Sequence, residues 1–286
     1  MTALLDWLAD KYPTAKRTTL RRMVQQGRVI INGKPARSSK DPVSTNDTVE
    51  VRDQPDPHRS RSAPPTTLPF PIVHEDDDVL VIDKPAGLLT NTGPREKRPT
   101  ALALVRAYVL ERSPRARVGL IHRLDRDASG LLVFSKNHAA YESLKTQFFH
   151  HTVERVYTAV VRGTPEPPAG RIESRLLELA DGRVVTTRQH AKGQRAITDY
   201  ETLHSSPERS VLRVKLLTGR KHQIRAHLAQ RGHPILNDPL YSDEKPAGRL
   251  MLVATGLSID HPGTGRPLSL RVEPPPEVVR VLAEFA

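Results

Sequence analysis

The chain has 286 residues, with 44 lysine and arginine residues against 32 aspartate and glutamate residues, which gives a formal net charge of +12 at pH 7. It contains no cysteine, which excludes disulfide bonds, thiolate nucleophiles and cysteine-ligated zinc or iron–sulfur sites. A chain of this length can bury a full core and forms roughly one to three domains. The basic surplus favours a polyanionic partner, either nucleic acid or an acidic membrane surface.

The hydropathy pattern argues against a membrane span, because no apolar run approaches the roughly 18 residues that a membrane-spanning helix needs. Charge alone does not choose between nucleic acid and a membrane surface. The segment around Asp125, described below, favours RNA, and we expect no membrane partner. The lack of cysteine is compatible with a reducing compartment, and we expect a cytoplasmic protein. No exposed apolar helix or repeat indicates a second subunit, and we therefore expect a monomer.

The positive charge is concentrated in two stretches. Residues 11–40 contain nine basic residues and residues 209–237 contain seven, and neither stretch contains an acidic residue. A run of charge can simply be a solvated face, but long stretches without any counter-charge favour a surface that binds a polyanion.

Residues 53–69 differ in composition from the rest of the chain. Five of them are proline, and Leu68 is the single large aliphatic residue among them. Such a segment cannot pack a core and is typical of an extended, semi-rigid linker. We therefore predict a first domain at residues 1–52, a linker at 53–69 and a second domain at 70–286.

The first domain is predicted to contain two helices and a small β-ribbon. An apolar stripe predicts the second helix at residues 18–26, and Gly27 follows at the position of a helix C-terminal glycine. Asn32-Gly33 then predicts a hairpin after a short strand at residues 29–31, because both residues tolerate positive φ. An alternating strand at residues 47–51 closes the ribbon.

Residues 20–34 carry this pattern, and they resemble the small RNA-binding domain named after ribosomal protein S4. The resemblance extends over most of residues 14–52 and implies that a basic helix face binds structured RNA through its phosphates. The residues implied as RNA contacts are Arg17, Arg21, Arg22, Arg28 and Lys34. A generic basic helix and hairpin without a ligand is the alternative.

Strands and helices are interspersed in the second domain without βαβ regularity. Apolar runs predict strands at residues 79–82, 131–134, 156–161 and 211–217. Helices are predicted from a Thr100 cap to about residue 112, from an Asn137 cap to residue 149, and at residues 222–230. The pattern favours an α+β fold with a mixed, largely antiparallel sheet.

Several familiar motifs are missing from the sequence. It contains no GxxxxGK[ST] loop and no GxGxxG, which argues against an enzyme of nucleoside triphosphates or dinucleotides. It contains no HExxH, and His222 and His227 are five residues apart, which does not place them on one helix face. We expect no metal and no cofactor.

Residues 119–134 carry the chemistry. Asp125 stands between Arg123 and Arg126, before a small-residue turn that enters an apolar strand. Flanking guanidinium groups favour the ionised carboxylate. Taken alone, however, this pattern fits a surface ion pair at a turn better than it fits a catalytic group.

The same residues resemble the signature of the RluA-type pseudouridine synthases, His-Arg-Leu-Asp followed by a Ser-Gly turn. Other segments match that family in the same order, at residues 81–87, 154–163, 218–227, 238–241 and 249–267. The resemblance covers nearly all of residues 72–275. It implies the pseudouridine synthase fold and the isomerisation of uridine to pseudouridine in RNA, with ribosomal RNA of the large subunit as the first candidate substrate and transfer RNA as the second.

The resemblance also implies the site residues. Asp125 would be the catalytic aspartate, and Arg225 the arginine that pairs with it. Tyr157 would stack on the uracil and assist proton transfer, and Arg123 would fill the space that the flipped base leaves. Ile224 and Leu252 would line the uracil pocket. Isomerisation needs no redox step or energy input, so the resemblance implies no cofactor and no metal.

Two questions stay open at this stage. The aspartate could attack C1′ of the ribose or remove the proton from C2′. Four positions depart from the usual family residues, namely Ala128, Asp83, Asn237 and Val253, and Lys84 could be structural or phosphate-facing. The competing hypothesis is a non-catalytic RNA-binding or ribosome-assembly factor built from the same parts.

Overall fold

The computed structural model describes residues 2–15, 17–25, 27–52, 67–92, 98–187 and 192–285. Most of the predicted linker, residues 53–66, lies outside the described residues, as do Gln26 at the end of a predicted helix and the side chain of Arg22. The chain divides into two compact units, Met1–Pro64 and Pro65–Ala286. Within the described ranges no helix is long and apolar enough to cross a membrane.

The first unit contains two helices and short strands. They are β1 (Thr2–Ala3), α1 (Leu4–Lys11), α2 (Arg17–Gln25), β2 (Val29–Ile31), β3 (Lys34–Pro35), β4 (Pro42–Val43) and β5 (Val49–Val51). The central strand β2 pairs antiparallel with both β3 and β5. Asn32 and Gly33 have φ values of 50° and 77° between β2 and β3, which confirms the predicted hairpin. Leu4, Leu8, Leu20 and Val29 form the core of this unit.

The second unit contains eleven strands and four helices among the described residues. The strands are β6 (Ile72–Glu75), β7 (Val79–Lys84), β8 (Gly119–Leu120), β9 (Ser129–Ser135), β10 (Glu154–Arg162), β11 (Ala169–Glu178), β12 (Val184–Thr187), β13 (Gln194–Ser205), β14 (Arg209–Leu216), β15 (Leu252–Asp260) and β16 (Pro267–Arg271). The helices are α3 (Ala101–Arg112), α4 (His138–Phe149), α5 (Gln223–Gln230) and α6 (Pro276–Ala283).

The strands of the second unit form one sheet. Its main order is β12-β11-β13-β14-β10-β15-β9-β7-β6, with β16 added to β15 and β8 to β9. Among the described strands, β9 and β15 form the one parallel pair, and the other pairs are antiparallel. The predicted α+β class with a largely antiparallel sheet is confirmed.

Alternation along the strands separates the residues that face the two sides of the sheet. In β9, Leu132 and Phe134 join one core, whereas Leu131 and Val133 join another. In β10, Tyr157 shares the first core with Leu132 and Phe134. Because successive side chains of a strand point to opposite faces, this alternation fixes the side of the sheet on which Tyr157 is presented.

The helix ends follow the predicted capping. The side-chain oxygens of Thr100 and Asn137 accept hydrogen bonds from the backbone N–H groups of Ala103 and Ala140, at 3.2 and 2.8 Å. Helix α5 begins at Gln223, one residue later than predicted, because His222 has a left-handed backbone with φ 51°. In the second unit the structure adds β6, β8, β11, β12, β13, β15, β16 and α6, for which the sequence analysis made no prediction.

Candidate active site

One face of the sheet opens into a pocket of about 580 Å³ in the second unit. Its wall is formed by the segment before β9, the end of α4, strand β10 and the segment that leads into α5. Six residues that the resemblance assigned to the site lie in its lining: Arg123, Asp125, Tyr157, Ile224, Arg225 and Leu252. The structure therefore brings them together from distant parts of the sequence.

Asp125 is paired with a buried arginine at the base of this pocket. Arg225 Nη1 donates a hydrogen bond to Asp125 Oδ2 at 3.3 Å. The Arg225 side chain is 2% exposed, whereas that of Asp125 is 15% exposed. The cation is thus fixed within the protein, and the carboxylate keeps one side open to the pocket.

Asp125 does not pair with the arginines beside it in the sequence. Arg126 donates to Asp127 instead, with Nε 2.8 Å from Oδ1, and Arg123 is exposed and forms no ion pair within the described part of the chain. The sequence-based expectation that flanking guanidinium groups hold Asp125 is therefore replaced by a tertiary contact, because adjacent side chains of a turn project in different directions.

Asp238 holds Arg225 in place. Its two carboxylate oxygens accept hydrogen bonds from Arg225 Nε and Nη2, both at 2.7 Å, and its side chain is fully buried. Burial acts to lower the pKa of Arg225, but the bonds and charges of Asp238 and Asp125 outweigh that effect and raise it. Arg225 therefore stays a cation aimed at Asp125.

Hydrogen bonds from Thr90 and Lys84 hold the backbone on either side of Asp125. Thr90 Oγ1 donates to the carbonyl of Leu124 and accepts from its N–H group, at 2.7 and 3.2 Å. Lys84 is fully buried, and its ammonium group donates to the carbonyl oxygens of Pro85, Leu88 and Arg126. Lys84 is thus structural, and burial lowers its pKa to about 8.

Tyr157 lies on β10 and is buried in the pocket wall. Burial raises the pKa of its phenol to about 12, because the charged form is disfavoured away from water. Tyr157 is therefore a neutral phenol at neutral pH.

His222, Tyr241 and Arg155 were not predicted as site residues. The Tyr241 hydroxyl accepts from the N–H group of Val184 at 2.8 Å and lies 3.0 Å from His222 Nδ1. The Arg225 guanidinium lies over the Tyr241 ring, 5.1 Å from its centroid. Asp238 and Tyr241 belong to the matched segment at residues 238–241, His222 to that at 218–227 and Arg155 to that at 154–163, and these matches were the available signal. No sequence signal marked the burial of Arg155.

Three of the four departures from the family pattern have a clear structural setting. Asn237 has a left-handed backbone with φ 60°, a conformation that asparagine tolerates better than most residues and that explains the usual glycine. Ala128 is a buried residue of the pocket lining. Val253 pairs with Ser129 in the parallel ladder.

One cluster outside the pocket has the residue types of a metal site. His74 Nε2 and His261 Nε2 lie 2.6 and 2.9 Å from Asp76 Oδ2. However, His261 Nδ1 accepts hydrogen bonds from the backbone N–H groups of Gly263 and Thr264, so a neutral ring carries its proton on Nε2. Because that proton occupies the atom a metal would need, the cluster fits a hydrogen-bonded network better than a metal site.

The predicted RNA-binding residues of the first unit differ in their surroundings. Arg21 and Lys34 are exposed. Arg17 pairs with Asp6, and Arg28 Nε donates to the carbonyl of Arg52 at 2.8 Å.

Together, the fold and the pocket place the Asp125 carboxylate against the buried Arg225 in a pocket lined by several basic residues. A family model for RNA pseudouridylate synthase matches residues 78–230, and an S4 domain model matches residues 4–49. The first match covers more than half of the chain, which therefore belongs to the RNA pseudouridylate synthase family.

Relatives span most of the chain. The ribosomal large subunit pseudouridine synthase D of Neisseria meningitidis is 32% identical over 96% of this chain and 76% of its own length. An uncharacterized RNA pseudouridine synthase of Aquifex aeolicus is 30% identical over 94% of this chain and 89% of its own. These matches confirm the predicted family, and the protein is an RNA pseudouridine synthase with an N-terminal S4 domain.

A solved structure supports the fold. Human RNA pseudouridylate synthase domain containing 4 aligns with a TM-score of 0.64 at 24% identity, covering 75% of this chain and 92% of that one. At this identity the likeness shows a shared fold.

Proposed function

We propose that the enzyme isomerises specific uridines in structured RNA, with Asp125 as the catalytic carboxylate and large-subunit ribosomal RNA as the target. The observation that carries the proposal is the placement of Asp125 in the pocket, 3.3 Å from the buried Arg225. The ribosomal target is supported by the name of the Neisseria relative, and transfer RNA is the second candidate.

The reaction breaks the N1–C1′ bond of uridine and joins C5 to C1′ after the uracil has turned. The proton on C5 leaves, and N1 gains one, so that atoms and charge balance overall. Asp125 either attacks C1′ or removes the proton from C2′, and both routes need an ionised carboxylate close to the ribose. Arg225 supports both routes because its buried guanidinium group holds the Asp125 carboxylate in position, with Nη1 3.3 Å from Oδ2.

The other pocket residues have roles in holding the base. The target nucleotide must leave its stack before a side chain can reach C1′ or C2′, which costs a few kcal/mol. Tyr157 stacks on the flipped uracil, and its neutral phenol assists the transfer of the C5 proton as a relay, which accepts that proton while it passes on its own. Arg123, which is exposed, fills the space left in the RNA, while Ile224 and Leu252 form the apolar wall of the uracil pocket.

Tritium release tests this proposal. RNA labelled with [5-³H]uridine should lose tritium to water in the presence of the wild-type protein. The Asp125→Asn variant should fold and bind the RNA but release nothing. Asp127→Asn is the matched control, since it makes the same change in a carboxylate that pairs with Arg126, and it should retain activity. Release by Asp125→Asn at the wild-type rate would refute the role of Asp125.

The competing hypothesis of a non-catalytic RNA-binding factor makes a different prediction. Binding without tritium release from ribosomal or transfer RNA would favour it, whereas the shared pocket of Asp125, Arg225 and Tyr157 supports the enzyme. We also propose that the protein is a monomer and that it acts in the cytoplasm. Light scattering of the purified protein tests the oligomeric state.

A further inference from the structure

Arg155 carries a positive charge in the pocket wall, two residues before Tyr157 on β10. The residue is 7% exposed. Its Nη2 donates to the carbonyl of Leu216 at 3.2 Å, while its buried Nε has no hydrogen-bond partner. Within the described residues no carboxylate forms an ion pair with it, since the neighbouring Glu154 binds Lys215 at 2.6 Å.

A buried charge without a counter-ion is unfavourable for the folded protein. Arg225, which is equally enclosed, has two carboxylates around it. Arg155 has instead the ring of Phe148, 5.4 Å from its guanidinium carbon, and burial lowers its pKa more than the neighbouring Tyr157 raises it. Arg155 is thus a buried cation without a carboxylate partner among the described residues.

The surroundings of Arg155 favour an anionic partner. His151 and Arg220 line the same pocket, and burial, followed by the charges of Arg155 and Arg220, lowers the pKa of His151. Gly219 leaves room for the guanidinium group, because a Cβ atom on that residue would lie 2.6 Å from Arg155 Nη1.

We propose that Arg155 anchors a phosphate subsite, which binds a backbone phosphate of the RNA next to the flipped uridine. This inference rests on the proposed function, because it takes the occupant of the pocket to be a nucleotide. Every nucleotide of an RNA chain brings a phosphate close to its own ribose, and a guanidinium group donates strong, charge-assisted hydrogen bonds to phosphate oxygens. The phosphate would supply the counter-ion and fix the position of the ribose beside Asp125.

Neutral phosphates provide the test. A short RNA stem-loop around the modified uridine is made with a methylphosphonate at one backbone position at a time. Binding is measured with Asp125→Asn, so that no turnover intervenes, and with Asp125→Asn combined with Arg155→Met. At one backbone position, the neutral RNA should bind Asp125→Asn about tenfold more weakly than the unmodified RNA. The double variant with Arg155→Met should bind these two RNAs with nearly the same affinity. Equal losses for both proteins at every position would overturn the subsite.

Two further variants distinguish the loss of a phosphate contact from the loss of net positive charge and from a loss of stability. Gly219→Ala keeps the charge of Arg155 but displaces its guanidinium group, and it should reproduce the response of Arg155→Met. Arg280→Met removes an exposed charge on α6 and should leave the tenfold response intact. If Arg155→Met lowers the unfolding midpoint while the response to neutral phosphates stays that of the parent, Arg155 belongs to the scaffold and the proposal is wrong.

The outcome is independent of the catalytic assignment. If Asp125→Asn remained active, the role of Asp125 would fail, but the binding of neutral-phosphate RNA would still decide whether Arg155 holds a phosphate.

Discussion

At the scale of single residues, Asp238 and Asp199 bind arginines with nearly the same geometry in different surroundings. Asp238 receives Nε and Nη2 of Arg225 at 2.7 Å each, and Asp199 receives Nε and Nη2 of Arg171 at 2.7 and 2.9 Å. The first pair is buried and the second is largely exposed. They form a matched comparison for the effect of burial on an ion pair.

Asp238→Asn should lower the free energy of unfolding by about 3–5 kcal/mol, because it leaves the buried Arg225 with a single carboxylate. The same substitution at Asp199 should have a much smaller effect, since water screens an exposed pair. Denaturant titration measures both variants. Equal losses of unfolding free energy in the two variants would mean that burial does not strengthen the dependence of Arg225 on its carboxylate partner. Asp238→Asn should also reduce the rate of tritium release, because Arg225 loses its orientation.

His227 gives a pH dependence at the same scale. Its Nδ1 and Nε2 lie 2.9 Å from the hydroxyl oxygens of Thr198 and Ser174, and burial lowers its pKa from 6.5 to about 4. Between these values the unfolded chain takes up a proton at this residue and the folded chain does not. Its contribution to stability is therefore complete above about pH 6.5 and is lost as the pH falls toward 4.

His227→Gln should flatten the pH dependence of unfolding in that window. One pKa unit corresponds to about 1.4 kcal/mol, so the difference across the window should be about 2–3 kcal/mol. His138→Gln, which changes an exposed histidine, should leave the slope unaltered. A slope in His227→Gln that equals the wild-type slope would show that folding does not lower the pKa of His227.

At the scale of the elements, Gly130 connects the Asp125 segment to the sheet. It has φ 109° in the parallel pair of β9 and β15, and a Cβ atom on it would lie 2.3 Å from the carbonyl oxygen of Ala254. Gly265 also has a positive φ, at 67°, but no atom lies within 4 Å of its Cβ position. The two glycines therefore separate backbone strain from steric conflict.

Gly130→Ala should destabilise the protein by clearly more than Gly265→Ala. The control bears only the left-handed strain of about 1–2 kcal/mol, whereas at Gly130 two paired backbones must also move apart. Unfolding midpoints in denaturant measure the difference. Equal midpoints for the two variants would show that β9 and β15 can separate freely.

The elements that the sequence predicted are those with strong local signals. Strands β7, β9 and β10 contain continuous apolar runs, and α3 and α4 begin at side-chain caps. Strands β11 and β13 were not predicted, because most of their residues are exposed or only partly buried and their sequences lack a clear apolar alternation. Their pairing is decided by neighbouring strands rather than by their own residues.

The site was predictable only in part, because its residues are far apart in the sequence. Asp125 and Arg225 are 100 residues apart, so only the ordered match to a family could relate them. Asp238 lay in a matched segment but had no assigned partner. Arg155 lay in the matched segment at residues 154–163 but could not be singled out there, because the fact that distinguishes it is burial without a carboxylate, and burial depends on the folded structure.

At the scale of the whole molecule, the positive charge that marks the sequence lies in both units. Arg21 and Lys34 are exposed in the first unit and form no ion pair among the residues that the structure describes there. Each phosphate that the protein neutralises steepens the fall of log K with log salt concentration by about 0.7–0.9. Arg21 and Lys34 should therefore contribute measurably to the salt dependence of RNA binding.

Replacing Arg21 and Lys34 together by glutamine should weaken RNA binding and flatten its salt dependence by about 0.7–0.9 for each phosphate that the variant no longer neutralises. Replacing Arg37 and Lys40 together removes the same charge from exposed positions of the same unit and should change the slope less. Filter binding at several salt concentrations measures both. An unchanged salt dependence in the first variant would show that Arg21 and Lys34 do not contact RNA phosphates.

The most direct measurement is a map of pseudouridines in the ribosomal RNA of cells that lack the gene, complemented either by the wild-type protein or by Asp125→Asn. We predict that particular pseudouridines of the large subunit disappear without the gene, return with the wild-type protein, and stay absent with Asp125→Asn at equal protein level. The return of those pseudouridines with Asp125→Asn would contradict the catalytic role of this carboxylate.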